Sequence, residues 1–235
     1  MAQAVSAPAR RVTTPRLTAL ALVPGALLVL GAWAVVGLAA DHGSAPSFAR
    51  MWAAMSVAMM LPTTVRPMLR AADGSAARAW EFTGGFVAVW LAAGVPAFVL
   101  MSAITWTPFW IAVAWLVAGA YQLTPFMHRQ LRACRAIAFR NNAATYGMRQ
   151  GVRCVLSCGP LMIAVMVTAM TLPGMLLPLL ALVAMTALLC WQNQPSVAPR
   201  AVAAVGIAML LVAAGGFVML GGGGSAHHST GVSTS

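Results

Sequence analysis

The sequence predicts an all-α polytopic membrane helix bundle, with about seven transmembrane helices, the N-terminus inside and the C-terminus outside. Three observations predict it. Of 235 residues, 61% are hydrophobic and only 7% charged. Average soluble domains carry roughly 25% charged residues, so an ordinary water-facing surface cannot be built from so few. The apolar residues fall into runs near the about 20 residues that carry a helix across a bilayer. The charges between those runs are sided. A helical bundle rather than a barrel follows from the length of the runs, because a helix satisfies its own backbone within lipid.

Residues 1–16 form a polar cytoplasmic segment holding Arg10, Arg11 and Arg16. Residues 17–220 form the seven-helix transmembrane domain. Its first helix, 17–40, is uncharged and longer than the about 7–15 apolar residues of a signal peptide, so an uncleaved helix is expected. The second helix is expected at 48–68, and the third at 80–104, kinked at Pro96. The fourth runs over 108–126. The polar connection 127–149 carries Arg129, Arg132, Arg135, Arg140 and Arg149 among Leu131, Ile137 and Phe139, as in a segment lying on anionic headgroups. The fifth helix covers 151–172, and a Pro173-Gly174 turn separates it from the sixth at 175–191. After Gln192 to Ser196 the seventh spans 198–220. The Gly/Ser/Thr-rich tail 221–235 reads as disordered and extracytoplasmic.

All fourteen basic residues are Arg, and the net charge is +11. With seven crossings and the N-terminus inside, every Arg except Arg50 falls on the cytoplasmic side or at a helix end facing it. Lys/Arg bias sets membrane orientation, so the charge is explained by topology. No phosphate loop or aromatic-basic strand accompanies it, and nucleic acid is not an expected partner. The expected partners are the lipid bilayer and other membrane subunits.

Sulfur is patterned along two helices. Met51, Met55 and Met59 recur every four residues, and Cys154, Cys158, Met162, Met166 and Met170 continue the same spacing in the fifth helix. Side chains at i and i+4 are neighbours on a helix, and the longer ladder spans about 24 Å. Thiolate and thioether are soft ligands that favour Cu(I). Cys134 and Cys190 fall at the same cytoplasmic end as Cys154 and Cys158, so thiols would grade the ladder inward. With the Pro173-Gly174 turn pairing the fifth and sixth helices, Cys190 would join Cys154 and Cys158 in a trigonal site. Two things oppose a metal role. Met is also an adaptable core filler and Cys a small hydrophobe. A straight helix drifts about 40° per four-residue step, so one stripe cannot face one partner throughout.

Other chemistry is sparse. His42, His128, His227 and His228 stand without a ligand set. The only acidic residues are Asp41, Asp73 and Glu81, with Arg78 placed to pair with Glu81. No intramembrane carboxylate offers a proton relay, and an enzyme is not expected.

Met51-Trp52-x-x-Met55-x-x-x-Met59-Met60-Leu61-Pro62 resembles the opening motif of a bacterial family catalogued as predicted metal-binding integral membrane proteins (domain of unknown function 2182). Tyr121-Gln122-Leu123-Thr124-Pro125 with Leu131-x-x-Cys134-Arg135 resembles its central motif. Gly151-x-x-Cys154-x-x-Ser157-Cys158-x-x-Leu161-Met162 resembles its Cys-rich helix. The likeness runs over 51–194. The family pattern often has Cys where this chain has Gln130 and Ser157, and Glu-Lys where it has Gln192 and Asn193.

The expectation is a protein of the bacterial plasma (inner) membrane that binds or moves a soft metal ion, Cu(I) first. The candidate ligands are Met51, Met55, Met59, Cys134, Cys154, Cys158, Met162, Met166, Met170 and Cys190. The alternatives are a membrane subunit or assembly factor whose Met-rich helices only pack, and a membrane thiol-redox protein.

Overall fold

The computed structural model describes residues 25–32, 34, 44–135, 142–171, 176–194 and 196–222. The segment 1–16, parts of the expected first helix, the Pro173-Gly174 turn and nearly all of the tail lie outside the described residues. The described residues are helical, with no strand among them. We number the helices α1 (25–32), α2 (Ala45–Met55), α3 (Leu61–Ala72), α4 (Ala76–Ala103), α5 (Pro108–Gln122), α6 (Pro125–Arg135), α7 (Ala143–Thr171), α8 (Leu176–Gln192) and α9 (Pro199–Gly222). A π-helical segment, Ser56–Met60, joins α2 to α3 without a turn.

Local chemistry explains the boundaries. The Ser44 hydroxyl accepts the Ser47 amide and caps α2, and a proline opens its first turn. Such a cap satisfies one of the four amides a helix start leaves unpaired. At the end of α3, Asp73 (φ 42) and Gly74 (φ 80) enter the left-handed region and reverse the chain into α4. Pro125 opens α6, with the Thr124 hydroxyl accepting the Met127 amide at 3.2 Å. The α6 axis departs from α5 by 67°.

α7 is the centre. It packs most extensively on α4, and also meets α3, α5, α6 and α8. Two glycines let α4 and α7 touch backbone to backbone. A Cβ on Gly147 would lie 2.0 Å from the Phe82 carbonyl oxygen, and one on Gly85 2.3 Å from that of Ala144. α5 and α9 close in the same manner, a Cβ on Gly119 meeting the Gly206 oxygen at 3.0 Å. Small residues at close helix crossings are the habit of bilayer proteins.

Among the described residues, three helical stretches are long and apolar enough to cross a membrane: Ala76–Ala103, Ala143–Ala169 and Pro199–Phe217. The bent α5–α6 pair makes a fourth if it is one broken span, and Leu179–Gln192 is a shorter apolar helix. This is fewer than the about seven expected from sequence. The expected second helix is divided into pieces of 11, 5 and 12 residues. The expected fourth ends at Gln122 and the chain turns. The connection expected over 127–149 is largely helical, shared between α6 and the first two turns of α7. Pro96 stands inside one uninterrupted α4.

Polarity is turned inside out. Only 22% of the apolar window in α4 and in α9 is buried, against 50% in α7. Leu91, Val95, Val99, Leu211 and Val212 point outward, whereas Gln122, Gln150, Gln192, Ser56 and Ser157 are buried.

Candidate functional site

The largest buried cluster is built around sulfur. It contains Met51, Met55, Met59 and Met60 from α2 and the π segment, and Cys154, Cys158, Met162 and Met166 from α7. Met185 of α8 and Met209 of α9 join it. Met59 and Met60 have no exposed surface at all, and Cys154 and Cys158 retain 4% and 3%. The π segment resolves the drift expected of a straight stripe. Its i→i+5 bonding widens the turn, so each residue rotates less about the axis. That offsets the advance of the four-residue spacing and keeps Met51, Met55 and Met59 on one side.

Aromatic side chains frame the cluster. The Trp52 indole donates to the Trp90 carbonyl at 2.7 Å and lies directly over Gly94, where a Cβ would come within 2.6 Å of the ring. The Trp90 indole nitrogen is buried without a hydrogen-bond partner, in the same cluster as Cys154. A proline fixes the sulfur-bearing helix from the other side. Pro160 has no N–H, so the Leu156 carbonyl loses its partner within α7. The Tyr121 hydroxyl of α5 donates to that carbonyl. Trp115 of α5 adds a bond to the Thr168 hydroxyl at 2.8 Å.

At the Cys154 end the surroundings become polar. The Ser157 hydroxyl donates to the Cys154 carbonyl at 3.1 Å and lies 3.4 Å from the Cys158 sulfur. Gln150 donates through Nε2 to the Cys134 carbonyl at 3.0 Å, and Arg153 to the Ala133 carbonyl at 3.2 Å. Arg135 donates to the Gln192 and Val197 carbonyls, with Nε–O and Nη1–O distances of 3.0 Å. These bonds hold α6 across the end of α7 and against the α8–α9 connection. Between them lies a cavity of about 160 Å³ lined by Thr63, Thr64, Arg66, Pro67, Arg70, Cys134, Arg135, Gln150, Cys154 and Asn193.

Among the candidate ligands, Met51, Met55, Met59, Cys154, Cys158, Met162 and Met166 therefore share one cluster, and Cys134 borders it across the cavity that it lines with Cys154. Cys190 is only half-buried and belongs neither to the cluster nor to the cavity. Cys134 of α6, not Cys190 of α8, is the third thiol near the α7 pair. Met170 lies on the last turn of α7, its side chain outside the described residues. Arg78 pairs with Asp73 at 3.3 Å, where sequence had suggested Glu81. Sequence reasoning did not single out Trp90, Gln150, Met185 or Met209. Gln150 continues the four-residue spacing of Cys154 and Cys158, and Trp90 that of Phe82 and Phe86, a signal the sulfur pattern alone did not use; Met185 and Met209 are brought in by the fold.

Among the described residues no three His, Cys, Asp or Glu side chains lie close enough to hold a metal ion. A hard cation thus finds no carboxylate cage here. What the cluster offers is paired thiols and thioethers in a buried apolar interior, the soft donor types that favour Cu(I) over hard cations.

No curated protein and no solved structure matches the chain. A family model described as PpoB2, copper chaperone, matches residues 49–217, a stretch that begins just before the sulfur of α2 and ends in α9. The chain belongs to the PpoB2 copper chaperone family.

Proposed function

We propose that this protein sits in the bacterial plasma membrane as a multi-pass bundle of about seven crossings, takes up Cu(I), and hands it on through its buried sulfur cluster. The observation that carries the reading is the convergence of Met51, Met55 and Met59 with Cys154, Cys158, Met162 and Met166 in one buried core. The copper chaperone description of the family supports the choice of metal. Outward-facing Leu and Val on α4 and α9 support a lipid environment.

The chemistry is stepwise ligand exchange. Each sulfur binds Cu(I) weakly enough to release it when a neighbour bonds, so the ion moves without meeting water and without changing oxidation state. Thioethers cannot ionise, whereas Cys134, Cys154 and Cys158 can lose a proton and bind more firmly. The thiols therefore form the strong end of the path and the methionines the weak end.

Elemental analysis of the full chain, purified from copper-supplemented cells, tests the reading. About one or more copper per chain is expected; a metal-free, folded protein would leave the methionines as packing and the chain as a membrane subunit. Orientation has its own test. Reporter fusions after Arg140 and after Ser235 are expected on opposite sides of the membrane, and reporters on the same side would refute seven crossings.

A further inference from the structure

The cavity beside the thiols has a chemistry that the sulfur cluster does not explain. Thr63, Arg66, Pro67 and Arg70 form one face of α3, following the spacing that lines up a helix side. Opposite them stand Cys134 and Arg135 of α6 and Gln150 and Cys154 of α7, with Asn193 closing the α8 end. Three guanidinium groups and two thiols thus line one small space, and no acidic side chain is among the described lining residues. Arg135 is engaged by backbone carbonyls. Arg66 and Arg70 are exposed toward the opening. Gln150 is 5% exposed, and its Oε1 has no donor within the protein.

A bare Cu(I) ion does not call for this arrangement, since guanidinium repels a cation. An anion does, and the thiols say which kind. We propose that this cavity seats a low-molecular-weight thiol bearing carboxylates and an amide or amine, and that Cu(I) passes between that carrier and Cys134 and Cys154. The proposal rests on the copper reading above and names the donor or acceptor at its thiol end. Arg66 and Arg70 hold the carboxylates by charge-assisted hydrogen bonds, and the Gln150 oxygen receives an N–H of the carrier. The volume, about that of five waters in the liquid, admits the cysteinyl portion of such a molecule and excludes a folded protein domain.

The exchange balances without a redox step. A carrier complex of one Cu(I) and two thiolates bears one negative charge. The Cys134 thiol gives its proton to one carrier thiolate, which leaves as a neutral thiol while the Cys134 sulfur bonds to copper. Cys154 repeats the step and releases the second carrier. The copper then sits between two protein thiolates, with the single negative charge retained. The reverse sequence unloads it.

The test uses the full chain in phosphatidylcholine nanodiscs. S-methylglutathione, whose sulfur is blocked, reports carrier binding apart from copper. Copper delivery is timed from Cu(I)–glutathione and from Cu(I)–2-mercaptoethanol, a donor with the same two-thiolate centre and no carboxylate. The wild type is expected to bind S-methylglutathione, and R66Q/R70Q to bind it at least about tenfold more weakly. The same variant is expected to slow delivery from glutathione by a similar factor and leave 2-mercaptoethanol delivery unchanged, with R66K/R70K restoring both. Copper loading from 2-mercaptoethanol with no binding of S-methylglutathione overturns the carrier site and leaves the copper reading standing. Binding of S-methylglutathione with no copper taken from either donor overturns the exchange step together with the copper reading. Equal delivery by wild type and R66Q/R70Q, or delivery only from an acidic protein donor, also overturns the proposal.

Discussion

The glycine contacts and the sulfur cluster fill space in opposite ways. Where α4 meets α7 and α5 meets α9, Gly85, Gly147, Gly119 and Gly206 bring backbone onto backbone and leave no side-chain volume. Around Met59, Cys154 and Met162 side chains rather than backbones fill the interior, many of them unbranched or small. A glycine contact has one geometry. A thioether on three rotatable bonds has many of nearly equal energy. The difference separates a frame of fixed geometry from an interior whose side chains can rearrange, and α7 takes part in both.

Breaking the frame should have the largest effect. G147A places a Cβ 2.0 Å from the Phe82 carbonyl oxygen, a clash with backbone that no rotamer relieves. We expect a loss of about 3 kcal/mol or more, at the top of the range for overpacking, seen as a large drop in thermal midpoint or in yield of folded protein. A wild-type midpoint would mean that the α4–α7 contact is not rigid. The next effect should fall on cargo and spare the fold. C154S/C158S keeps size and removes both thiols at the strong end, so the folded variant should lose most of its copper by elemental analysis. Retention at the wild-type level would move the strong site elsewhere. The smallest structural effect is expected from M51L/M55L/M59L. Volume-conserving swaps in a core cost less than about 1.5 kcal/mol, and copper content or transfer rate should fall while the midpoint barely moves. A triple variant with unchanged copper would class these methionines with the filler.

The sequence carried the α-helical class and the sulfur motifs well, because both are written in local spacing. Six i, i+4 steps among methionine and cysteine were visible, and the described members of both stripes are buried in one cluster. Where reading failed, the cause was nonlocal. Residues 127–149 look polar, yet α6 and the start of α7 are helical because Gln150, Arg153 and Arg135 bond to carbonyls on other elements. Cys190 looked as available as Cys134, since both fall at the cytoplasmic end of the expected topology. The 67° bend after Gln122 decides between them by laying α6 toward α7. Trp90 follows the four-residue spacing of Phe82 and Phe86 on α4. Only the fold puts it in one cluster with Cys154, sixty-four positions later in the chain.

The π segment Ser56–Met60 also separates two requirements that a uniform helix would tie together. Upstream, Met51 and Met55 must face the interior; downstream, Arg66 and Arg70 must face the cavity. In an α-helix each residue turns the axis by about 100°, so fixing one group fixes the other. The wide turn acts as an adjustable joint in angular phase. Winding its five residues as ordinary α-helix would keep the chain helical and almost the same length. It would swing Arg66 and Arg70 by about a quarter of a revolution relative to the methionines. The composition would be untouched, and the two ends of the path would no longer be in register.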